Sequence, residues 1–442
     1  MKKIIKRDGR IVPFNREKIT LAILSAAIAV GGRDRETAER VTDDVIARLE
    51  SRQEPESIPS VEEVQDLVEK SLIERGHAKT AKAYIIYRYE HALKRAGKES
   101  LTYSSENIPY KKLWRAILWG VDHGCVNLEQ MRRIIEEGNY AELIQSSEDF
   151  YHNELREAVK NILARIDDIR IIIVSGPSSS GKTTTTLKIS EELKSMGYHL
   201  ISLNVDNYFF DLKDQPRDTK GDYDYETPQA IDLDLINTHL RFLLDGKTVQ
   251  VPYYNFKTGN REGVSQELHL GKNEIVLIDS LHGMFEEMTE GIANAKKFKL
   301  YIETLSQLKD KKGRFVRWAD VRMLRRMVRD MQFRNYRPKQ TIAHWHFVRR
   351  SELRYIVSRL KYAHFIINSF LPYELPIMKY RIGAFFPGFI KDFREDPENY
   401  DAFVRSQRIC EMFEEIPEWT DERIVPKNSL LREFIGGSSY SY

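Results

Sequence analysis

Cysteine is nearly absent: Cys125 and Cys410 are the two in 442 residues. They lie far apart and neither has a CxxC partner, which excludes a zinc ribbon and a disulfide framework and suits a reducing compartment. Charge of one sign is equally scarce. The 69 Lys and Arg against 66 Asp and Glu leave a net +3, so bulk electrostatics supply no affinity for nucleic acid or an anionic membrane. Long hydrophobic runs are missing too. The longest, about Leu21 to Val30, is half a membrane span and contains Ser25. The start, Met1-Lys2-Lys3-Ile4-Ile5-Lys6-Arg7-Asp8-Gly9, has charge without the apolar core of a signal peptide. A soluble, cytoplasmic protein is expected, with neither nucleic acid nor membrane as partner.

What remains is globular. Hydrophobic residues at 41% and charged residues at 31% exclude disordered and fibrous classes, and roughly 150 residues per domain gives two or three domains. Residues 1–96 read as one unit. Ile4-Ile5 and Ile11-Val12 flank the turn pair Asp8-Gly9, a hairpin signal. Ile19, Ala22, Ile23, Ala26, Ala27 and Val30 then form one apolar helix stripe, with Asn15 as N-cap and Gly31-Gly32 as stop. A second stripe, Ala38, Val41, Val45, Ile46 and Leu49, follows Asp34. A third begins at Ser60-Val61-Glu62-Glu63, a capping-box spacing. A fourth helix, rich in Tyr, is expected over about 78–95.

Residues 97–165 read as a polar linker followed by helices that serve either as a bridge or as an extension of the next domain, and 166–442 as the second domain with a C-terminal extension. There the short β-branched runs Ile171–Val174, His199–Val205, Ile275–Asp279, Phe298–Ile302 and Phe365–Ile367 alternate with helical stretches. That alternation predicts an α/β fold with a parallel sheet flanked by helices, preceded by a small, mostly helical domain with a short β-hairpin.

The strongest chemical signal is Gly176-Pro177-Ser178-Ser179-Ser180-Gly181-Lys182-Thr183, a complete G-x-x-x-x-G-K-[ST] between a strand and a helix, with Thr184 following. The glycines let backbone N–H groups converge on phosphate oxygens, and the helix N-terminus adds positive dipole character. Lys182 can bridge the β- and γ-phosphates and Thr183 can ligate Mg²⁺, so ATP and Mg²⁺ are the expected cofactors. The strand from His199 reaches Asp206, an acid placed to accept the proton of a substrate hydroxyl. Asp279 closes the run Ile275-Val276-Leu277-Ile278 and can reach the metal. Arg322, Arg325, Arg326 and Arg329 recur on one helix face, followed by Arg334 and Arg337. Beside a phosphate loop such a stripe suggests a mobile arginine lid that neutralises the transferring phosphoryl group and excludes water.

These segments resemble the uridine kinase and phosphoribulokinase family of P-loop kinases, closest to the bacterial uridine kinase-like branch that elsewhere carries a TGS domain. The likeness rests on SGPSSSGKTTTT, NVDNYFFD, QPRDTKGDYDYETPQAIDLDL, VPYYNFKTGNRE, MLRRMVRDMQFRNY and NSLLREFIGGSSY. It implies Asp206 as the base, with Lys182, Arg325 and Arg329 also in the catalytic set. Tyr208, Glu226, Tyr254 and Arg322 would sit on the substrate side, with Glu226 holding a sugar and Tyr254 in the nucleoside-pocket motif. Asp279 stands where the family has a metal-linked Glu, and Ser280 where a Gly follows. Gly259 stands where uridine kinases of the usual type carry a base-recognising His, and a site that cannot hydrogen-bond the base discriminates less.

The first unit is similar to the ATP-cone of ribonucleotide reductases and their repressor, on Lys6-Arg7-Asp8-Gly9, Pro13-Phe14, Arg16, Lys18-Ile19 and Val61-Glu62-Glu63-Val64-Gln65. Lys6, Arg7 and Lys18 would hold a second, regulatory nucleotide. The resemblances together imply an ATP-dependent nucleoside kinase tuned by ATP or dATP. A 2-phosphoglycerate kinase-like enzyme and a nucleotide sensor with decayed chemistry are the alternatives, and a homo-oligomer stays open.

Overall fold

The computed structural model describes residues 3–5, 11–32, 34–51, 58–77, 79–81, 83–84, 108–217, 223–225 and 227–441. The chain divides into two compact units, Met1–Glu106 and Asn107–Tyr442.

In the first unit β1 (Lys3–Ile5) pairs antiparallel with β2 (Ile11–Pro13), Ile5 opposite Ile11. The turn pair Asp8-Gly9 lies outside the described residues, as do Lys6 and Arg7. Helices α1 (Arg16–Ala29), α2 (Arg35–Glu50) and α3 (Val61–Glu74) follow. Their starts show why side-chain acceptors define helix ends. The Asp34 carboxylate accepts from the Glu36 and Thr37 amides, and Ser60 with Glu63 closes a reciprocal capping box. Asn15 occupies the N-cap of α1 but makes no side-chain cap bond. Ile19, Ile23, Ala26, Val41, Val45, Val68 and Leu72 form the core. Each large aliphatic side chain so buried contributes about 1.5–3 kcal/mol. Val30, at the end of the expected α1 stripe, is exposed instead, because the helix has already stopped before it. The tyrosine-rich fourth stretch falls largely outside the described residues.

The second unit opens with α4 (Tyr110–Asp122), α5 (Leu128–Glu136) and α6 (Tyr140–Leu163). These helices belong to this unit rather than standing apart as a bridge. Buried Glu154 on α6 accepts from Lys112 Nζ at 2.7 Å and from the Asn368 amide at 3.3 Å. One carboxylate thereby ties α4 to a sheet strand.

The sheet comprises β3 (Ile171–Ser175), β4 (His199–Asn204), β7 (Glu274–Asp279), β8 (Lys297–Glu303) and β9 (Phe365–Asn368), all parallel, in the order β4-β7-β3-β8-β9. On β3 the alternating residues explain the continuous apolar run. Ile172 and Val174 join a core with α6 and with α7 (Lys182–Ser195), whereas Ile171 and Ile173 join a second core with α8 (Leu233–Leu244). A strand buried on both faces has no polar side. A two-stranded ribbon, β5 (Val249–Asn255) with β6 (Asn260–Leu268), stands outside the sheet and was not expected from the sequence. Beyond β8 come α9 (Trp318–Phe333), α10 (Pro338–Ser351), α11 (Glu374–Ile382), α12 (Phe386–Phe393), α13 (Tyr400–Glu414) and a last turn, α14 (Arg432–Ile435). Among the described residues no helix is long and apolar enough to cross a membrane.

Candidate active site

Parallel strands deliver their carboxyl ends to one edge of the sheet, and register decides which side chains meet there. Asp279 on β7 lies level with Val174 of β3 on one side and Asn204 of β4 on the other. The glycine-rich loop leaves β3 two residues beyond Val174, and Asp206 follows Asn204 on a short 3₁₀ turn, Val205–Tyr208. Asn204 Oδ1 accepts from the Asp206 amide at 3.0 Å and fixes that turn. The lysine loop, Asp206 and Asp279 are therefore neighbours through strand pairing.

The loop geometry follows from its residues. Gly181 is the N-cap of α7 at φ +86°, and a Cβ there would sit 2.5 Å from Leu430. Only glycine satisfies both conditions. Lys182 Nζ donates to the Gly176 and Pro177 carbonyls at 2.9 and 3.2 Å, curling over its own loop. Thr183 is exposed, whereas Thr184 is buried, its amide and hydroxyl donating to Glu433 at 3.1 and 2.8 Å. Thr184 was expected among the nucleotide contacts; the structure instead turns it inward to a carboxylate. The hydroxyls of Ser179 and Ser180 are buried with no hydrogen-bond partner. Unpartnered donors beside a lysine are what a polyphosphate would satisfy, so these residues fit ATP.

Electrostatics link the same groups. Burial pushes the Lys182 ammonium down, opposed by Asp279 and Glu433. Burial pushes Asp279 up to about 6, with Lys182 opposing and Glu433 and Asp206 reinforcing. Asp206 keeps solvent contact at the rim, yet protein hemming it in raises its carboxyl above the ordinary range, again against Lys182. A base with a raised pKa is a stronger proton acceptor. Exposed Thr183 and the Asp279 carboxylate fit Mg²⁺, which takes one or two protein oxygens and completes its shell with phosphate and water. Among the described residues no group of three His, Cys, Asp or Glu side chains could hold an ion unaided.

The arginine stripe needs correction. Instead of a mobile lid, α9 is a packed helix, and its arginines split into two roles. Arg322 is 1% exposed; it pairs with Glu303 at 2.8 Å and Glu352 at 2.5 Å and donates to the Ser178 carbonyl at 3.1 Å. Arg325, fully buried, grips Glu374 through two bonds of 2.6 and 2.9 Å and donates to the Ser369 carbonyl. Ser369 in turn donates to the Ser180 carbonyl at 2.6 Å. These two guanidiniums brace the loop from behind, because a buried arginine held by a bidentate carboxylate cannot also reach substrate. Replacing Arg325 or Glu374 by Gln is expected to cost about 3–5 kcal/mol, since the partner is left as an unpaired buried charge. Chemical denaturation checks this, and turnover per folded molecule should change far less. Arg326 and Arg329 are the ones left beside the loop. Arg326 donates to the Ser178 hydroxyl at 3.0 Å, and buried Arg329 Nε has no partner.

The residues after Asp206 are aromatic. Phe209 packs against Tyr225, Tyr254 and Phe256 with ring centroids 5.6–5.7 Å apart. Tyr254 therefore stands in a ring cluster near Asp206. Tyr208 does not: it is fully buried, with its hydroxyl 2.8 Å from His239 Nδ1, so its expected substrate contact is corrected. Glu226 lies outside the described residues. Sequence reasoning missed Arg261, which donates to the Phe209 and Tyr208 carbonyls and to Asp232, shaping the turn that carries Asp206. Gly259 is the departure with a physical cause. At φ +70° its position favours glycine, and a Cβ would lie 2.9 Å from Leu212. Leu212 fills the space that a recognising side chain would need.

Comparison with known proteins agrees with this geometry. Residues 2–93 match the ATP cone domain and residues 171–374 the Phosphoribulokinase / Uridine kinase family. A uridine kinase of Deinococcus deserti is 30% identical over 198 residues, 45% of this chain and 86% of that protein. A uridine-cytidine kinase B of Dictyostelium discoideum is 28% identical over 198 residues, 45% of this chain and 73% of its own length. At the other end, a vitamin B12-dependent ribonucleoside-diphosphate reductase of Thermoplasma acidophilum is 39% identical over 104 residues, 22% of this chain and 13% of that protein. The chain belongs to the phosphoribulokinase and uridine kinase family and carries an ATP-cone at its N-terminus.

Proposed function

We propose that this protein is a Mg²⁺- and ATP-dependent kinase that transfers the γ-phosphoryl group to a hydroxyl of a small molecule, the 5′-hydroxyl of a nucleoside. The observation that carries the reading is the convergence of Asp206, Asp279 and Lys182 at one sheet edge, each perturbing the next. Asp206 takes the proton of the acceptor hydroxyl. Lys182, with Arg326 and Arg329 beside the loop, neutralises the phosphoryl oxygens as charge spreads over them. Thr183 and Asp279 would hold Mg²⁺, which supplies further neutralisation of the phosphates when bound. The ring cluster around Phe209 suits the flat face of a nucleobase.

Leu212 against Gly259 leaves no room for a histidine reading the base, so selectivity for uridine over other nucleosides should be modest. The deciding experiment is transfer from labelled ATP across nucleosides, sugars and phosphorylated acids, repeated with dATP added. Label on a nucleoside supports the reading. Label confined to a phosphorylated acid replaces it with the 2-phosphoglycerate kinase-like alternative, and ATP binding without transfer to any acceptor replaces it with a sensor. On the same reading the ATP-cone is a second nucleotide site in which Lys6, Arg7 and Lys18 take part. A rate unchanged by dATP removes that regulatory role.

A further inference from the structure

The family match ends at residue 374, yet a residue far beyond it packs against the helix turn that follows the phosphate loop. The last turn, α14, brings two successive side chains to the site. Glu433 is 6% exposed and accepts from the amide and hydroxyl of Thr184, at the start of α7. Its other oxygen lies 3.9 Å from Arg329 Nη1. Phe434, fully buried, lies under the same guanidinium, 5.9 Å from ring centroid to Arg329, and 5.2 Å from Arg325. Three residues before Glu433, Leu430 fills the space above Gly181.

A carboxylate placed against a phosphate site repels its ligand unless it serves another group. Here that group is Arg329. Its charge is disfavoured by burial and by Arg334 and Arg326, and favoured by Glu433 and by Asp330. Its Nε is buried without a partner, so the guanidinium is held on one side and unsatisfied on another. It also acts electrostatically on Lys182, as Arg322 does from behind the loop. Neither can α14 be a detachable plug, since Leu430, Leu431, Phe434 and Ile435 are all within 2% of complete burial.

We propose that Glu433 is a positioning residue of the phosphotransfer site, holding Arg329 so that its unpartnered face meets the γ-phosphate and fixing the first turn of α7 through Thr184. The inference rests on the reading of this site as one for phosphoryl transfer. Glu433→Gln keeps an acceptor for Thr184 and removes the charge that holds Arg329. The test uses the full chain and measures affinity for ATPγS and for ADP, counting only binding that is lost in Lys182→Ala, so that the cone does not contribute.

The parent should prefer ATPγS. Glu433→Gln and Arg329→Gln should each lose about tenfold of that preference, the worth of one charge-assisted hydrogen bond. The double variant should lose no more than either, because the two act as one unit. The thermal midpoint of Glu433→Gln should stay within ~3 °C of the parent. A preference retained in Glu433→Gln, losses that multiply in the double variant, or a parent without any preference overturns the proposal. So does a Glu433→Gln protein with a lowered midpoint and equally weakened binding of both nucleotides, which assigns α14 to structural support alone. None of these readouts needs an acceptor, so a failed acceptor screen and a failed titration remain separate results.

Discussion

Lys182→Ala is expected to lower phosphoryl transfer by about 10²–10³-fold, the effect of deleting one preorganised charge from a developing transition state. The loss should fall on turnover as well as on nucleotide affinity, because the lysine both binds the phosphates and answers their rising charge. Its surroundings explain the size. Without a nucleotide, Lys182 Nζ is satisfied only by two carbonyls of its own loop. It is also the cation that opposes the upward shift of both Asp279 and Asp206, so its removal leaves two carboxylates without that counter-charge. Single-turnover transfer from labelled ATP measures it. A variant within tenfold of the parent would place the reacting phosphate somewhere other than above this loop.

Asp206→Asn should cost about 10²–10⁴-fold in turnover and leave the KM for ATP nearly unchanged, since a general base acts on the acceptor and not on the nucleotide. The pH profile distinguishes the base from a merely structural acid. As the proposed base Asp206 works ionised, and its pKa is raised by burial, so the rate should fall as pH drops through a value above the ordinary carboxylate range. Burial pushes Asp279 up to about 6, and as a proposed cation ligand it must also be ionised, so it adds a second loss on the same acid side. In Asp206→Asn the contribution of Asp206 should vanish while that of Asp279 stays. The stability sign is opposite: a carboxyl raised in the folded state favours folding below its unfolded pKa and loses that contribution as pH rises through about 6. An Asp206→Asn protein as fast as its parent would remove the base from the scheme and favour the sensor reading.

Much of the architecture was legible because its determinants are local. Strands β3 and β7 carry β-branched runs buried on both faces, and the phosphate loop is written in glycines whose conformations the chain needs. Asp34 and Ser60 announce helix starts by side-chain chemistry alone. The ribbon β5–β6 was not legible. Along β6 nearly every residue from Asn260 to Glu267 is solvent-facing, so no apolar alternation marks it as a strand. Its signal lies in backbone pairing with β5, which leaves no trace in composition.

The arginines of α9 show a second limit. Spacing placed Arg322, Arg325, Arg326 and Arg329 on one stripe. Which of them are free depends on acids far along the chain, Glu303, Glu352, Glu374 and Glu433. Periodicity describes one helix, whereas burial and pairing belong to the packed whole. Tyr208 failed for a related reason: a residue two positions beyond a base can point either to the crevice or to the core, and His239 receives it on the core side.

The separation of 249 residues between Thr184 and Glu433 bears on biosynthesis. At about 5–20 residues per second, the ribosome needs some tens of seconds after completing the glycine loop before the turn that seals it emerges. During that interval the sheet edge lacks one wall, Gly181 lacks its covering leucine, and Arg329 lacks its counter-ion. Nascent chains should therefore acquire tight triphosphate binding only once residue 433 has emerged, and a messenger cut short before codon 433 should yield protein that is folded in part yet unable to grip its nucleotide.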